Sequence, residues 1–340
     1  MPSPLPISGP LTLGDLLDRA FRIYQARFGL LILTAAIFLV PLGILSGIFS
    51  GGIMTGYLSL LSEVMQNPEA TPDAAMLDVL QANQSAVALS YLLVPLGLLA
   101  NVLVTLALTS QAIAILHNQE LSLIESLRAG LRRFWAFVGM SIIKWLAIFL
   151  ATSGVLVGVG CIFFAMAFAV GGIFSASGGE SIGNEMATMA GLFIIIACLY
   201  LGVLLLMAIP AAYLTARWVA AVPGIVDQSW GPMEALSNSW ALTRGQIWRC
   251  FFYVVLLYLF YFVLYAIIMG LALAGVAAVF IYSPAASGAV YGAVNAILPV
   301  LWSPLSAAAF VLLYYDLRVR QEGYDLSLRV QQLEAEGRNA

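Results

Sequence analysis

TLGDLLDRAFRIYQARF (residues 12–28), SLIESLRAGLRRFWAFV (122–138) and GPMEALSNSWALTRGQI (231–247) follow one pattern. Thr12 with Asp15, and Ser122 with Glu125, fit the capping box, in which a hydroxyl and a carboxylate three residues later satisfy two orphan N–H groups. Gly231, Pro232 and Glu234 start a helix by other means, with proline at the first helical position and an acid in the first turn. Five residues after each start stands a leucine (Leu17, Leu127, Leu236), eight after it a small residue (Ala20, Gly130, Ser239), and nine after it a bulky apolar one (Phe21, Leu131, Trp240). Thr12, Ser122 and Gly231 lie 110 and 109 residues apart. The spacing predicts three tandem units.

Each pattern leads into a long apolar run. The chain of 340 residues is 62% apolar and 9% charged, too few polar side chains to cover a water-soluble globule of that size. Between Phe28 and Ser62 there is no charge, where about 20 residues suffice to cross the hydrocarbon. Further runs cover roughly 86–116, 134–175, 188–216 and 248–282, and a sixth ends near Tyr315. The run from Phe134 could hold two crossings, but it contains no turn signal and the repeat argues for one. The expected fold is therefore all-α: a polytopic integral membrane protein with six transmembrane helices, built as three pseudo-repeats (12–116, 122–216, 231–316) of an amphipathic interfacial helix followed by a helical hairpin. Residues 1–340 form a single membrane domain, with 317–340 as its cytoplasmic tail, where Leu326, Val330 and Leu333 fall at helical spacing.

In the first short segment Leu13, Leu16, Leu17, Ala20, Phe21, Tyr24 and Phe28 recur at steps of three and four, the signature of one apolar helix face. Gly43, Gly47 and Gly51 recur every fourth residue beyond Pro41, and Gly154 and Gly158 form a similar pair; such ridges suit close helix packing in lipid. Thr71-Pro72 marks a further helix start between the first two spans. The N-terminus lacks the basic n-region of a signal peptide, so an uncleaved first span is expected.

The net charge of −3 conceals an asymmetry. All 14 Lys and Arg fall in residues 1–27, 117–144, 217–249 and after 315, while the intervening loops carry only acids: Glu63, Glu69, Asp73, Asp78, Glu180 and Glu185. Basic residues confined to one side mark the cytoplasmic face. This predicts a multi-pass protein of the inner membrane with both termini cytoplasmic. With two spans in every unit, the units share one orientation, the parallel kind of internal repeat.

Residues 11–32 (LTLGDLLDRAFRIYQARFGLLI), 223–249 (PGIVDQSWGPMEALSNSWALTRGQIWR) and 313–326 (LYYDLRVRQEGYDL) resemble the recurrent segments of a bacterial family of six-span membrane proteins, the glycerophosphoryl diester phosphodiesterase membrane domain proteins. Asp15 and Asp227 stand where that family more often has glutamate, and Asn238 where an arginine often precedes the serine. The family takes its description from fusion of such a domain to a catalytic barrel, and no barrel is expected within these 340 residues. The resemblance implies a fold and a location, and carries no activity with it.

Lys144 is the one charge well inside an apolar run, and an ionisable residue within a span is a functional candidate. Its stem also has the reach to snorkel toward the basic pair Arg132 and Arg133, the reading its position favours. Its counterparts Thr34 and Tyr253 are uncharged. Asn101, Gln111 and Asn295, near mid-span, suit hydrogen bonds between helices better than a transport path. In the C-terminal segment Asp316, Arg318, Arg320, Glu322 and Asp325 surround Gly323. They read as an interfacial exit, with tyrosines at headgroup level and arginines facing the leaflet, or else as a docking surface paired with Asp227, Glu234 and Arg244.

Catalysis finds no support, since HExxH, GxSxG and P-loop motifs are missing and a single histidine, His117, cannot build a metal-dependent phosphodiesterase site. Cys161, Cys198 and Cys250 have no ligand spacing. No cofactor, metal or nucleic acid is expected. The lipid bilayer is the first partner, anionic lipid the candidate contact of the arginines, and membrane proteins the other candidates. The favoured function is a non-enzymatic scaffold or accessory subunit that organises lipid or partner proteins; the alternative is a transporter or channel, motivated by the repeats, by Pro41, Pro95, Pro210 and Pro299, and by Lys144. A membrane-bound phosphodiester-lipid enzyme comes last.

Overall fold

The computed structural model describes residues 11–66, 84–119, 121–176, 202–203, 206–280 and 284–322. Glu69, Asp73, Asp78, Glu180, Glu185, the Thr71-Pro72 start, Cys198, most of residues 188–205, Gly323, Asp325 and the Leu326–Val330–Leu333 stretch lie outside them, as do the side chains of Glu63, Cys161, Asn295 and Glu322. Every regular element among the described residues is an α-helix: α1 Leu13–Ala26, α2 Phe28–Gln66, α3 Gln84–Leu116, α4 Leu123–Arg132, α5 Phe134–Ala176, α6 206–217, α7 Ala221–Asp227, α8 Pro232–Leu242, α9 Ile247–Phe280 and α10 Pro284–Glu322. Among the described residues six stretches are long and apolar enough to cross a membrane: Phe28–Gly47, Tyr91–Leu116, Phe134–Gly160, Leu206–Asp227, Ile247–Leu271 and Ala296–Gln321. The protein is an all-α polytopic membrane protein.

The three expected helix starts are real. Thr12 and Ser122 sit in extended backbone and close reciprocal boxes with Asp15 and Glu125. Gly231 has no side chain to give, so only half of the box forms there: the Glu234 carboxylate accepts from the Gly231 N–H at 3.1 Å. The connections before α4 and α8 turn through left-handed residues, Asn118 (φ 59°) and Ser229 (φ 63°). The first suits asparagine, whose short polar side chain tolerates that region.

The apolar run from Phe134 is one continuous helix of 43 residues, and α2 passes through Pro41 without a break. The expected end of the last span needs correction. Instead of stopping near Tyr315, α10 continues to Glu322, because Asp316 and Arg320 pair one turn apart at 3.0 Å and Arg318 reaches Asp227.

α10 is the axis of the fold. In its span 61% of the most apolar window is buried, against 6% in the α5 span, so α5 gives most of its surface to lipid. Around Leu305–Leu317 of α10 pack Leu16, Ala20 and Ile23 of α1, Cys250, Tyr253, Val254 and Leu257 of α9, and Ala216, Val219 and Ala220 at the α6–α7 junction. Further along, α10 meets α2 at Gly43, where an added Cβ would stand 2.2 Å from the Ala296 Cβ. Lipid tails are as apolar as the helices, so such close approach, not water exclusion, holds spans together. Gly154 and Gly158 form no comparable ridge: an added Cβ at either would meet nothing within 4 Å.

Candidate functional site

The three short helices are seated alike. The small residue eight after each helix start is where the short helix docks: Ala20 of α1 against α10, Gly130 of α4 against α3, and Ser239 of α8 against the α6–α7 junction. Ala20 is fully buried in the cluster around α10. At Gly130 a Cβ would lie 3.1 Å from Leu106 Cβ, a contact tight enough that the neighbour would have to shift. Ser239 adds hydrogen bonds, donating to the Arg217 carbonyl at 2.9 Å and accepting from the Ala220 N–H at 3.2 Å. One residue further on, Phe21, Leu131 and Trp240 are all exposed. The apolar face read for the first segment thus divides: Leu16 and Ala20 turn inward, joined by Ile23 from outside that face, whereas Phe21 and Phe28 face out.

Asp316 fastens the start of α1 to α9 and α10. Its fully buried carboxylate accepts from the Leu11 N–H (2.8 Å), from Nε and Nη2 of Arg249 (3.2 and 3.0 Å) and from Nε of Arg320 (3.0 Å). Both arginines also donate to the Leu11 carbonyl, Arg320 at 2.8 Å. Among the described residues no buried side-chain polar atom of this cluster is left without a partner, which is the condition under which a buried ion pair is tolerated. Arg249, which sequence reasoning counted without singling out, is as central as the residues it did.

A second acid receives the same helix from the other side. Asp227, at the end of α7, accepts from the Tyr314 hydroxyl (2.9 Å), the Tyr315 hydroxyl (3.1 Å) and Arg318 Nη1 (3.1 Å). Tyr314 and Tyr315 are buried, not placed at the headgroup surface as an interfacial exit would require. The docking-surface alternative fits in part: Asp227 pairs with the C-terminal segment, Glu234 spends its carboxylate on the α8 start, and Arg244 takes part through its carbonyl, which accepts from Gln321 at 2.9 Å. His117 bonds the Ile113 carbonyl at 2.9 Å and stacks edge-on against Tyr315. Arg217 lies over Trp240, 4.6 Å from the ring centre.

Deeper in the bundle, α3, α5, α6, α7, α9 and α10 line a partly open cavity of about 680 Å³. Phe137, Met140, Ser141, Lys144 and Trp145 line it from α5, a spacing that places them on one helix face. Lys144 therefore sits on the cavity wall. Asn101, Thr105 and Thr109 form a polar stripe from α3. Gln111, by contrast, is fully engaged between helices, donating to Thr34 (2.9 Å) and Ser126 (3.0 Å).

Residues 193–325 match the membrane domain of glycerophosphoryl diester phosphodiesterase. The matched stretch takes in α6 through α10, and with them Asp227, Arg249, Asp316, Arg318 and Arg320. The N-terminal segment that carried part of the resemblance lies outside the match to this membrane-domain family. No curated protein and no solved structure matches the chain.

Proposed function

We propose that this chain is a non-enzymatic scaffold or accessory subunit of the bacterial inner membrane, which organises lipid and partner proteins with the three short helices as its working surface. The observation that carries the reading is their common seating: a small residue docked on a span, and beside it an exposed Phe21, Leu131 or Trp240. Ile124 and Met233, exposed on α4 and α8, extend this apolar rim, and exposed apolar residues bordered by arginines suit the boundary between acyl chains and anionic headgroups. Both termini are assigned to the cytoplasm on the one-sided distribution of the 14 basic residues. Purification in native-lipid particles tests the reading. A partner chain or lipid held in fixed ratio, and lost in the triple variant Phe21→Ser, Leu131→Ser, Trp240→Ser, supports it; solute flux through reconstituted liposomes with no retained partner contradicts it. The cavity beside Lys144 is the specific observation favouring the second reading, a transporter of a small or lipid-like substrate.

A further inference from the structure

Lys144, Thr34 and Tyr253 occupy the same position in their units, 22 residues after the helix start, and the other two close their seams. Thr34 is fully buried between Leu30 and Gln111, donating to the Leu30 carbonyl at 2.8 Å and sharing a hydrogen bond with Gln111. Tyr253 is fully buried and donates to the Ala309 carbonyl at 3.2 Å. The second unit instead leaves an ammonium at the wall of the 680 Å³ cavity, with no hydrogen bond or ion pair to any described residue. An ammonium in such surroundings is costly without a counter-charge.

The rest of the lining says what that counter-charge is attached to. Among the described residues that line the cavity there is no acid, and Lys144 is the one charged side chain. Thr109, Ser303 and Ser306 spend their hydroxyl hydrogens on carbonyls of their own helices. Donors with no partner among the described residues include Lys144, the Asn101 amide, the Ser141, Thr215, Tyr258 and Tyr261 hydroxyls and the indole N–H groups of Trp145, Trp218 and Trp302, a set that suits an anion rich in acceptor oxygens. Trp145 and Tyr258 reach from the lining to the exposed outer surface of the bundle, so the cavity has an edge on the lipid side. We infer that this cavity is a binding site for the phosphate-bearing headgroup of an anionic lipid, entered sideways from the bilayer, with Lys144 as its counter-ion. The scaffold reading does not depend on it.

The test is titration of the full-length protein, in neutral detergent, with short-chain phosphatidylglycerol, short-chain phosphatidylcholine and inorganic phosphate as separate probes. Phosphatidylglycerol is expected to bind about tenfold or more tightly than phosphatidylcholine, and Lys144→Met to remove about a tenfold share of that affinity while Lys144→Arg keeps it. Tyr258→Phe with Tyr261→Phe, which deletes only two hydroxyls, is expected to weaken phosphatidylglycerol severalfold and serves as the second variant should Lys144→Met not yield folded protein. Unchanged phosphatidylglycerol affinity in Lys144→Met, or in the tyrosine pair where that is the variant measured, overturns the proposal. So does equal binding of the two lipids. Displacement of phosphatidylglycerol by equimolar inorganic phosphate overturns it as well, by assigning the site to a soluble anion.

Discussion

Leu11 and Asp316 stand 305 residues apart in sequence, and the Leu11 N–H donates to the Asp316 carboxylate at 2.8 Å. This bond, with Arg249 and Arg320 folded over the Leu11 carbonyl, joins the entry of the first helix to the end of the last span. It fixes α1 against α10, as the close contact of Gly130 with Leu106 and the Gln111–Ser126 hydrogen bond fix α4 against α3.

Removing Asp316 leaves two arginines gathered around a backbone carbonyl with no counter-charge. Asp316→Ala is expected to destabilise the protein by about 3–5 kcal/mol. Thermal unfolding in detergent measures this, and a melting temperature equal to that of the parent contradicts the role given to the cluster.

Tyr314→Phe and Tyr315→Phe each delete one hydroxyl that donates to Asp227. Each is expected to cost about 1.5–3 kcal/mol, the range for hydrogen bonds to a charged group. In an Asp227→Asn background the same substitutions should cost less, and a double-mutant cycle that finds them additive contradicts the coupling.

The helix caps predict a pH dependence. Hydrogen bonds from the Thr12 side chain and backbone hold Asp15 below its usual carboxylate range, and bonds from the Ser122 backbone and side chain do the same for Glu125. A carboxyl whose folded value is depressed adds stability above its unfolded value of about 4 and loses it as pH falls through the lower folded value. The gap in melting temperature between the parent and Asp15→Asn or Glu125→Gln should therefore be present at neutral pH and vanish in acid. A gap independent of pH contradicts it.

Gly43 lies where α2 and α10 come closest. Gly43→Val should force the helices apart at Ala296 and cost about 1–3 kcal/mol, and Ala296→Gly should recover part of the loss. Failure of the second change to restore any stability would remove Gly43 from the packing argument.

What was readable in the sequence follows from how local each signal is. Caps, apolar periodicity and span length are written within a few neighbouring residues, so Thr12, Ser122, the unbroken helix from Phe134 and the six spans were visible without a structure. The small residues Ala20, Gly130 and Ser239 were visible as a pattern, though not as the seat of each short helix. Charges that meet across 305 residues leave no local trace. Arg249 read as one basic residue among 14, and Tyr314 and Tyr315 read as interfacial aromatics because an Asp227 87 residues away in sequence is not part of their neighbourhood. The cavity was equally hidden, since Lys144 alone does not reveal which helix faces surround it.

The central claim is that the chain repeats one element three times in the same sense, so that every short helix begins on one side of the bilayer and every odd-numbered loop between spans lies on the other. Labelling of single cysteines at Asn118, Ser229 and Asp73, in a background with Cys161, Cys198 and Cys250 replaced, tests it directly with a membrane-impermeant reagent applied to intact cells and to inverted vesicles. The account predicts that Asn118 and Ser229 react only in inverted vesicles and Asp73 only in intact cells. Reaction of Asp73 on the same side as Asn118 would contradict it.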